Sequence, residues 1–222
     1  MIRVRNVIKR YALGDEEFTA LKSVSFKIDE GEMVAIMGPS GCGKTTTMNI
    51  LGLLDKPTSG GYYLSGHDTN QFTPNQQADY RNQLIGFIFQ RYLLLPRLNV
   101  LQNVLLPLKY RKARSKNEVD MSVEMLERVG MGGHLEHRPN EISGGQQQRV
   151  AIARALVGKP KLILADEPTG ALDTHTSEVV LQLLKDIHRE EGVTVVVITH
   201  DEEVAMQCQR TIRILDGLIV EG

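Results

Sequence analysis

The chain has 222 residues, of which 41% are hydrophobic and 24% charged, the composition of a globular domain large enough to bury a substantial core. A formal net charge of −1 gives no global attraction to nucleic acid or to an anionic membrane surface. Two cysteines without paired spacing argue against a disulfide scaffold or a zinc site, and no apolar run has the length of a membrane span.

The amino-terminal region alternates apolar and polar residues. Ile2 and Val4 alternate with polar neighbours, and the stretch Phe18–Ile28 (FTALKSVSFKI) shows the same pattern. A period of two is typical of strands that bury one face. The pattern predicts an antiparallel β layer.

A short apolar run, a glycine-rich turn and a helix follow one another next. The run Met33–Met37 (MVAIM) predicts a strand buried on both faces, and a helix is predicted from Thr45 onward. Between them, Gly38, Gly43, Lys44 and Thr45 match the pattern G-x-x-x-x-G-K-[ST]. Glycines let backbone N–H groups converge on one anion, and a helix start adds free N–H groups and the positive end of its dipole. Lys44 is therefore predicted to reach the β- and γ-phosphates of a nucleoside triphosphate, and the Thr45 hydroxyl to hold Mg²⁺.

The same turn contains one of the two cysteines. Cys42 lies two residues before Lys44 and close to a helix start. A neighbouring cation and a helix start both stabilise a thiolate. We therefore expect Cys42 to react with thiol reagents before Cys208.

The middle of the chain has a helical composition. From Gln90 to about Arg154 the pattern turns helical, and the stretch Val119–Val129 places its apolar residues on one helix face. This predicts a helical subdomain at about residues 91–154, inserted in a single domain that covers residues 1–222. Within it, Arg91–Val100 (RYLLLPRLNV) is apolar, but Pro96 prevents one continuous helix. The resulting apolar loop either packs into the subdomain core or lines a groove for a partner.

The segment Asn140–Val157 (NEISGGQQQRVAIARALV) predicts a second anion-binding helix start. Ser143 can cap the helix, and Gly144 and Gly145 expose backbone N–H groups before the helix predicted over Gln146–Val157. One nucleotide occupies one phosphate loop, so this second start could serve the nucleotide of another copy. The alternative is a well-capped helix without a ligand.

Two adjacent carboxylates follow the next apolar run. Leu162–Ala165 predicts a buried strand, and Asp166 and Glu167 come directly after it. Adjacent carboxylates can divide the work around a metal-bound phosphate, since one orients Mg²⁺ while the other polarises the attacking water. Asp166 is thus predicted to bind the metal and Glu167 to act as general base. An acidic turn before Pro168 is the alternative, which the phosphate loop in the same chain disfavours.

A third apolar run closes the pattern. Val193–Thr199 ends at His200 and Asp201. Buried runs separated by helical segments are typical of a parallel α/β sheet whose ligand lies beyond the carboxyl ends of the strands. The chain is therefore predicted to be an α/β protein with a mostly parallel sheet core.

Together these motifs resemble the ATP-binding cassette (ABC) ATPases over essentially the whole chain. The resemblance is carried, in chain order, by Gly38–Thr45, Gln90, Ile142–Gln146, Leu162–Glu167, Ala171–Asp173 and His200. The serine-glycine-glycine-glutamine signature at Ser143–Gln146 is specific to that superfamily. The resemblance implies a P-loop NTPase fold of ABC type, with ATP and Mg²⁺ as cofactors.

The resemblance also implies a dimer of cassettes that face each other head to tail. Ser143 and Gly145 of one copy would close over the γ-phosphate held by Lys44 of the other. Asp173 would communicate across that dimer. A second copy of the chain is therefore an expected partner.

Further roles are implied residue by residue. Gln90 would sense Mg²⁺ and the attacking water, His200 would contact the γ-phosphate, and Tyr11 would lie under the adenine. Tyr11 could instead simply end a β-hairpin. The catalytic residues are then Glu167, His200 and Gln90, and the metal ligands are Thr45, Gln90 and Asp166. The nucleotide-binding residues are Tyr11, Gly38, Ser40, Gly41, Cys42, Gly43, Lys44, Thr45, Thr46, Ser143, Gly144, Gly145, Gln146 and Asp173.

Within the superfamily, the chain looks most like the branch that powers macrolide exporters and lipoprotein-release complexes. The segments Asp55–Gly60, Phe89–Leu108 and Asp166–Val180 carry this likeness. It implies an ATP-hydrolysing subunit at the cytoplasmic face of the inner membrane, peripheral to an integral membrane permease that is separate or fused. An ABC ATPase that signals to a membrane partner without transport, as in cell division, is the alternative.

A nucleic-acid partner is not expected. A chromosome-associated cassette needs a long coiled coil and a ribosome-associated one usually has two cassettes in tandem, and the sequence shows neither. Because no aromatic platform accompanies it, a cluster of basic residues is interpreted as a solvated loop. Contact of this cluster with lipid headgroups or nucleic acid is the alternative. Its members are Lys109, Arg111, Lys112, Arg114 and Lys116.

Overall fold

The computed structural model describes residues 1–14, 16–112 and 116–221. Its strands are β1 (Ile2–Leu13), β2 (Glu16–Ile28), β3 (Met33–Met37), β4 (Ser59–Leu64), β5 (His67–Asp68), β6 (Ile85–Phe89), β7 (Leu162–Asp166), β8 (Thr194–Thr199), β9 (Arg210–Leu215) and β10 (Leu218–Glu221). Its α-helices are α1 (Lys44–Leu51), α2 (Pro74–Leu84), α3 (Val100–Lys109), α4 (Glu118–Arg128), α5 (Gly144–Leu156), α6 (Thr174–Glu191) and α7 (Glu202–Ala205). Single 3₁₀ turns cover Thr69–Gln71, Gly132–His134 and Pro139–Glu141.

The chain divides into two compact units. Unit 1 combines Met1–Ala78 with Gly192–Gly222, and unit 2 is Asp79–Glu191. Each unit has its own elements of the α/β pattern, and each is described by itself below.

Unit 1 contains an antiparallel sheet and a parallel group of strands. The sheet has the order β2-β1-β4-β5, which confirms the predicted antiparallel layer. In the other group, β3 pairs in parallel with β8 and with β9, and β10 runs antiparallel to β9. Every residue of β3 and β8 is buried, which explains why these strands read as continuous apolar runs.

Unit 2 combines a parallel strand pair with packed helices. β6 and β7 are parallel, with Phe89 opposite Asp166. The helices α3, α4 and α5 contact one another, and Val104, Leu126 and Ile152 are fully buried. Helix α4 confirms the amphipathic prediction, and α5 starts two residues earlier than predicted because Gly144 and Gly145 already belong to it. A helical subdomain bounded at about residues 91–154 stays a prediction.

The apolar segment before α3 is a loop, as Pro96 predicts. No helix covers it until Val100, where Asn99 forms a capping box with Gln102. Leu93 and Leu95 are 55% and 45% exposed, so the segment does not fold entirely into a core. Throughout the described ranges, no helix combines the length and the apolar character needed to cross a bilayer.

Three of the five residues of the basic cluster have partners within the protein, and Lys116 is exposed. Lys109 pairs with Glu118, Lys112 with Asp79, and Arg111 donates to the carbonyl of Gly158. Arg114 lies outside the described residues. These pairings favour the reading of the cluster as ordinary surface structure.

Candidate nucleotide-binding site

The phosphate loop lies directly after β3, and its glycines are sterically required. Gly38 has φ +157° and a Cβ there would lie 2.1 Å from the carbonyl oxygen of Ile214. Gly43 is the N-cap of α1 with φ +109°, and a Cβ there would lie 2.8 Å from the Ala20 carbonyl oxygen. No side chain fits at either position, so the loop presents backbone in the manner of a phosphate cradle.

Lys44 places its charge at the mouth of this loop. Its Nζ donates to the carbonyl oxygens of Gly38 at 2.6 Å and Pro39 at 2.9 Å. Ser40 and Thr45 are exposed beside it, and Thr46 is half-buried. The first-turn N–H groups of a helix have no carbonyl partner within that helix, so an ammonium, hydroxyls and N–H donors share one small region. This set of donors fits the triphosphate group of a nucleoside triphosphate.

Cys42 does not meet the expectation of a reactive thiol. Its side chain is 3% exposed, and its Sγ lies only 2.6 Å from where a Cβ on Gly38 would stand. Cys208 is partly exposed. Because reaction requires access as well as a thiolate, Cys42 is expected to contribute its backbone to the loop rather than a reactive sulfur.

Tyr11, near the end of β1, is anchored by a small polar network. Its hydroxyl donates to Asp55 Oδ2 at 3.0 Å, and Lys9 Nζ donates to Asp55 Oδ1 at 2.6 Å. The Lys9 ammonium also lies 4.9 Å from the centre of the Tyr11 ring. Burial raises the pKa of Asp55, but the hydrogen bonds from Lys9, Lys56 and Tyr11 outweigh it and leave that pKa below its usual value. The network fixes the ring, which suits a stacking platform.

His200 reaches the same strand edge as the phosphate loop. In the parallel pair of β3 and β8, Met37 stands opposite Thr199, so Gly38 and His200 each come next after the last paired residue. His200 is exposed, and Asp201 behind it caps α7 by accepting from the Glu203 N–H at 2.8 Å. Unit 1 thus brings together the phosphate loop and the predicted γ-phosphate contact.

In unit 2, Gln90, Asp166 and Glu167 lie together at the carboxyl ends of β6 and β7. Phe89 is opposite Asp166, and the Gln90 amide nitrogen lies 2.7 Å from where a Cβ on Gly170 would stand. Gly170 in turn donates its N–H to the Glu167 carbonyl at 3.0 Å. Both carboxylates are half-buried. The structure therefore groups the predicted general base with two of the predicted metal ligands.

The oxygens in this group suit Mg²⁺. A carboxylate and an amide oxygen are hard ligands, and Mg²⁺ in nucleotide sites takes one or two carboxylates plus phosphate oxygens. In the part of the chain that the structure describes, no three His, Cys, Asp or Glu side chains cluster in a way that could hold a metal alone. The donor set fits a metal that arrives with a phosphate better than one caged by protein.

The second helix start is capped by its own side chains. Ser143 Oγ accepts from the Gln146 N–H at 3.3 Å, and the Ser143 N–H donates to Gln146 Oε1 at 2.8 Å. Gly144 lies against the hydroxyl of Tyr92 and Gly145 against the methyl group of Thr176, since a Cβ would stand 2.9 Å and 2.4 Å from them. The structure confirms a helix that starts here with Ser143 as its cap, and anion binding at this start stays a prediction.

Asp173 is linked to this helix start through Thr176. Asp173 accepts from the Thr176 N–H at 3.0 Å and from its hydroxyl at 2.6 Å, just inside α6. These hydrogen bonds lower the pKa of Asp173. Asp173 is exposed.

Sequence reasoning missed three side chains that brace the site, Asp55, Gln148 and Arg154. Gln148 on α5 donates from Nε2 to the Pro168 carbonyl at 2.6 Å. Arg154 donates to the carbonyls of Tyr92 and Leu93 at 2.7 and 2.6 Å, and burial lowers its pKa. A signal existed for Gln148, because it stands four residues before Ile152 on the apolar face of α5.

Comparison with known proteins gives consistent relatives. A family model described as "ABC transporter" matches residues 21–170. The chain is 50% identical over 223 residues to the macrolide export ATP-binding/permease protein MacB of Rhodopirellula baltica, covering 100% of this chain and 33% of that protein. It is also 50% identical over 220 residues to the uncharacterized ABC transporter ATP-binding protein YvrO of Bacillus subtilis, covering 99% of this chain and 96% of the relative.

A solved structure has the same fold. The dimeric structure of the ATP-binding cassette MJ0796 in a post-hydrolysis state, bound to ADP and Pi, matches with a TM-score of 0.91 at 48% identity. The match covers 100% of this chain and 97% of the other. This confirms the fold class, whereas the chain spans only about a third of the length of the MacB relatives.

Proposed function

The chain belongs to the ABC transporter family, and from this premise we propose that it binds and hydrolyses ATP to drive a membrane transporter of the macrolide-exporter and lipoprotein-release type. The observation that carries the proposal is the presence, in one chain, of the Lys44 phosphate loop and the Ser143–Gln146 helix start. The relatives named as macrolide export proteins support the transporter branch. In this role the chain acts at the cytoplasmic face of the membrane beside a permease.

ATP binding rests on the groups of the phosphate loop. The Lys44 ammonium and the first-turn N–H groups of α1 offset the negative charge of the phosphates. The Tyr11 ring, held by Asp55, supports the adenine. Thr45, Gln90 and Asp166 would hold Mg²⁺, which when bound neutralises charge on the β- and γ-phosphates.

Hydrolysis rests on positioning rather than on covalent chemistry. Glu167 accepts a proton from the attacking water, while Gln90 beside it orients that water. His200 contacts the γ-phosphate and stabilises the charge that develops there.

The second helix start completes the site of another copy. Ser143 and the N–H groups of Gly144 and Gly145 close over the γ-phosphate of that copy's ATP, and Asp173 faces it. ATP then joins two cassettes and hydrolysis releases them. The dimeric form of MJ0796 supports this arrangement.

Glu167→Gln tests the proposal. The variant should keep its affinity for ATP, lose about 100-fold or more in hydrolysis because the general base is gone, and accumulate as an ATP-bound dimer in gel filtration. Lys44→Ala is the matched control and should instead lose about 10-fold to 100-fold in ATP affinity, because a charge-assisted contact to phosphate is removed. A Glu167→Gln protein that stays monomeric with saturating ATP and Mg²⁺ would contradict the two-cassette mechanism.

The permease contact is proposed on the loop between Gln90 and α3. Leu93 and Leu95 are exposed there, with exposed Arg91 and Arg97 at the rim. The loop is held in place by side chains, since Arg154 binds the carbonyls of Tyr92 and Leu93. An ordered apolar surface next to Gln90 can receive a short cytoplasmic helix of the permease and sense the γ-phosphate.

Leu93→Ser and Leu95→Ser test this contact. Both exposed positions tolerate serine, so each variant should fold and hydrolyse ATP but lose transport in the assembled complex. Tyr92 and Leu94 are half-buried and less suitable, because Tyr92 also packs against Gly144. Tyr110→Ser, at a ring that is 76% exposed, is the control and should keep transport. Full transport by both leucine variants would place the contact elsewhere.

A further inference from the structure

Gln148 is a fully buried polar side chain near the start of α5. It is 0% exposed, and its Nε2 donates to the carbonyl oxygen of Pro168 at 2.6 Å. Among the described residues, no group donates a hydrogen bond to its Oε1, which is also buried. The side chain therefore spans from the helix that begins at Ser143 to the turn that follows β7.

That turn holds Glu167 in an unfavourable backbone conformation. Glu167 has φ +45°, in the left-handed region. A non-glycine residue there costs about 1–2 kcal/mol, so surrounding contacts must hold it. The Gly170 N–H binds the Glu167 carbonyl on one side, and Gln148 binds the next carbonyl, that of Pro168. The Gln148 contact thus restrains the peptide group between Pro168 and Thr169, one residue beyond Glu167.

Stability alone does not explain an amide at this position. A buried oxygen without a donor costs about 1–3 kcal/mol, whereas an apolar side chain of similar shape carries no such cost. The compensating feature is the single bond from Nε2 to Pro168. Retaining a costly group for one directed contact is typical of a residue that positions a functional group.

We propose that Gln148 is a positioning residue for Glu167, joining the Ser143–Gln146 helix start to the turn that aims the general base. This rests on the proposed function, in which the helix start contacts the ATP of a second copy. Closure of α5 on that ATP is then transmitted through Gln148 to the Glu167 of its own chain. The Gln148–Pro168 contact is already present in the single chain, so the path from the helix start to the turn of Glu167 exists before a second copy binds.

Gln148→Met removes the donor while keeping the length of the side chain. Removing the unpaired Oε1 should stabilise the protein, whereas removing the donor to the Pro168 carbonyl should destabilise it. Because these two effects offset each other, the unfolding midpoint should stay nearly constant. The kcat for ATP should fall by about 10-fold to 100-fold, since a misplacement of about 1 Å costs on that order, while KM stays within about twofold. Gln148→Asn shortens the side chain by one methylene group and moves the amide away from Pro168. It should lower kcat in the same way and serves as the test if Gln148→Met folds poorly.

Tyr62→Phe is the matched control. Tyr62 is also buried, and its hydroxyl donates to the Leu51 carbonyl at 2.7 Å, so this variant too removes one buried bond to a backbone oxygen. It should lower the unfolding midpoint and leave kcat unchanged. A purely structural role for Gln148 predicts this same outcome for Gln148→Met, which would overturn the proposal.

The decisive measurement combines Gln148→Met with Glu167→Gln in single-turnover hydrolysis. If Gln148 acts through Glu167, the substitution Gln148→Met should lower the rate of hydrolysis 10-fold or more in the otherwise unchanged protein. The same substitution should lower that rate less than about twofold when Glu167→Gln is already present. Equal losses in both backgrounds would contradict the proposal. Failure of the proposed function is a separate result, because Glu167→Gln by itself would then hydrolyse ATP at the normal rate.

Discussion

The two helix starts that we propose to bind phosphate have different local structures. Helix α1 has Gly43, a residue in the left-handed conformation, as its N-cap, and Lys44 folds back onto the carbonyls of the preceding loop. Helix α5 begins at Ser143, whose side chain and that of Gln146 already satisfy each other's backbone groups. The first start has no side-chain cap, whereas the cap of the second satisfies the N–H groups of Ser143 and Gln146 and leaves those of Gly144 and Gly145 for a ligand.

The difference indicates which start binds first. An uncapped helix with a lysine at its first position gains most from a polyanion, so α1 can hold ATP within one chain. A capped helix is stabilised less by an anion, so in the proposed dimer α5 binds a phosphate that another copy already holds. The two architectures therefore match a primary site and a closing site, as the proposed dimer requires.

Gly38→Ala should break the comparison with the largest effect. Its Cβ would stand 2.1 Å from the Ile214 carbonyl oxygen, and since that atom belongs to the backbone the loop must move. We expect a loss of about 3 kcal/mol or more in the free energy of unfolding and loss of ATP binding. Chemical denaturation and nucleotide binding measure both.

Gly41→Ala provides the control for that variant. Gly41 also has a positive φ of +80°, but a Cβ there would meet nothing within 4 Å. Only the conformational cost of about 1–2 kcal/mol should remain. Equal destabilisation by the two alanines would show that the close packing around Gly38 is not what shapes the loop.

Ser143→Ala should sharpen the comparison with an intermediate effect. Loss of the cap of α5 should cost about 1 kcal/mol in the free energy of unfolding. ATP affinity of the monomer should stay unchanged, because the phosphate loop is intact, while ATP-dependent dimerisation weakens. A parallel measurement on Ser143→Asp, which keeps a capping oxygen but adds negative charge, should restore stability without restoring the dimer. A large loss of monomer affinity in Ser143→Ala would assign α5 to the primary site instead.

Asp55→Asn should give the smallest effect, on the support of the Tyr11 ring. Asp55 has a lowered pKa in the folded protein, so the stability it adds is present above its unfolded pKa of about 3.9 and is lost as pH falls through the folded value. Removing the charge should cost about 1 kcal/mol at neutral pH, because the group is partly exposed. Unfolding measured between pH 7 and pH 3 should show the difference from the unchanged protein shrinking below about pH 4. A difference that grows towards low pH would contradict the Lys9–Asp55–Tyr11 network.

Much of the fold could be read from local patterns. Met33–Met37 is a strand with the predicted ends, and helix α4 follows its apolar periodicity. These elements are determined locally, because burial on both faces or on one face leaves a mark in every few residues. The glycine-rich turn was equally predictable from the sequence, because its positive φ angles and close backbone contacts require glycine.

The sequence by itself determined the phosphate loop, the capped helix start and the adjacent carboxylates, because each is a run of neighbouring residues whose chemistry depends on spacing. Only the tertiary structure decided which distant side chains brace them. Tyr11 meets Asp55 across 44 positions, Arg154 meets Tyr92 across 62, and Gln148 meets Pro168 across 20. It also buried the Cys42 thiol, which sequence reasoning had expected to be reactive. Such contacts depend on how separate elements pack, and a single side chain that reaches across a fold leaves no periodicity for a sequence pattern to reveal.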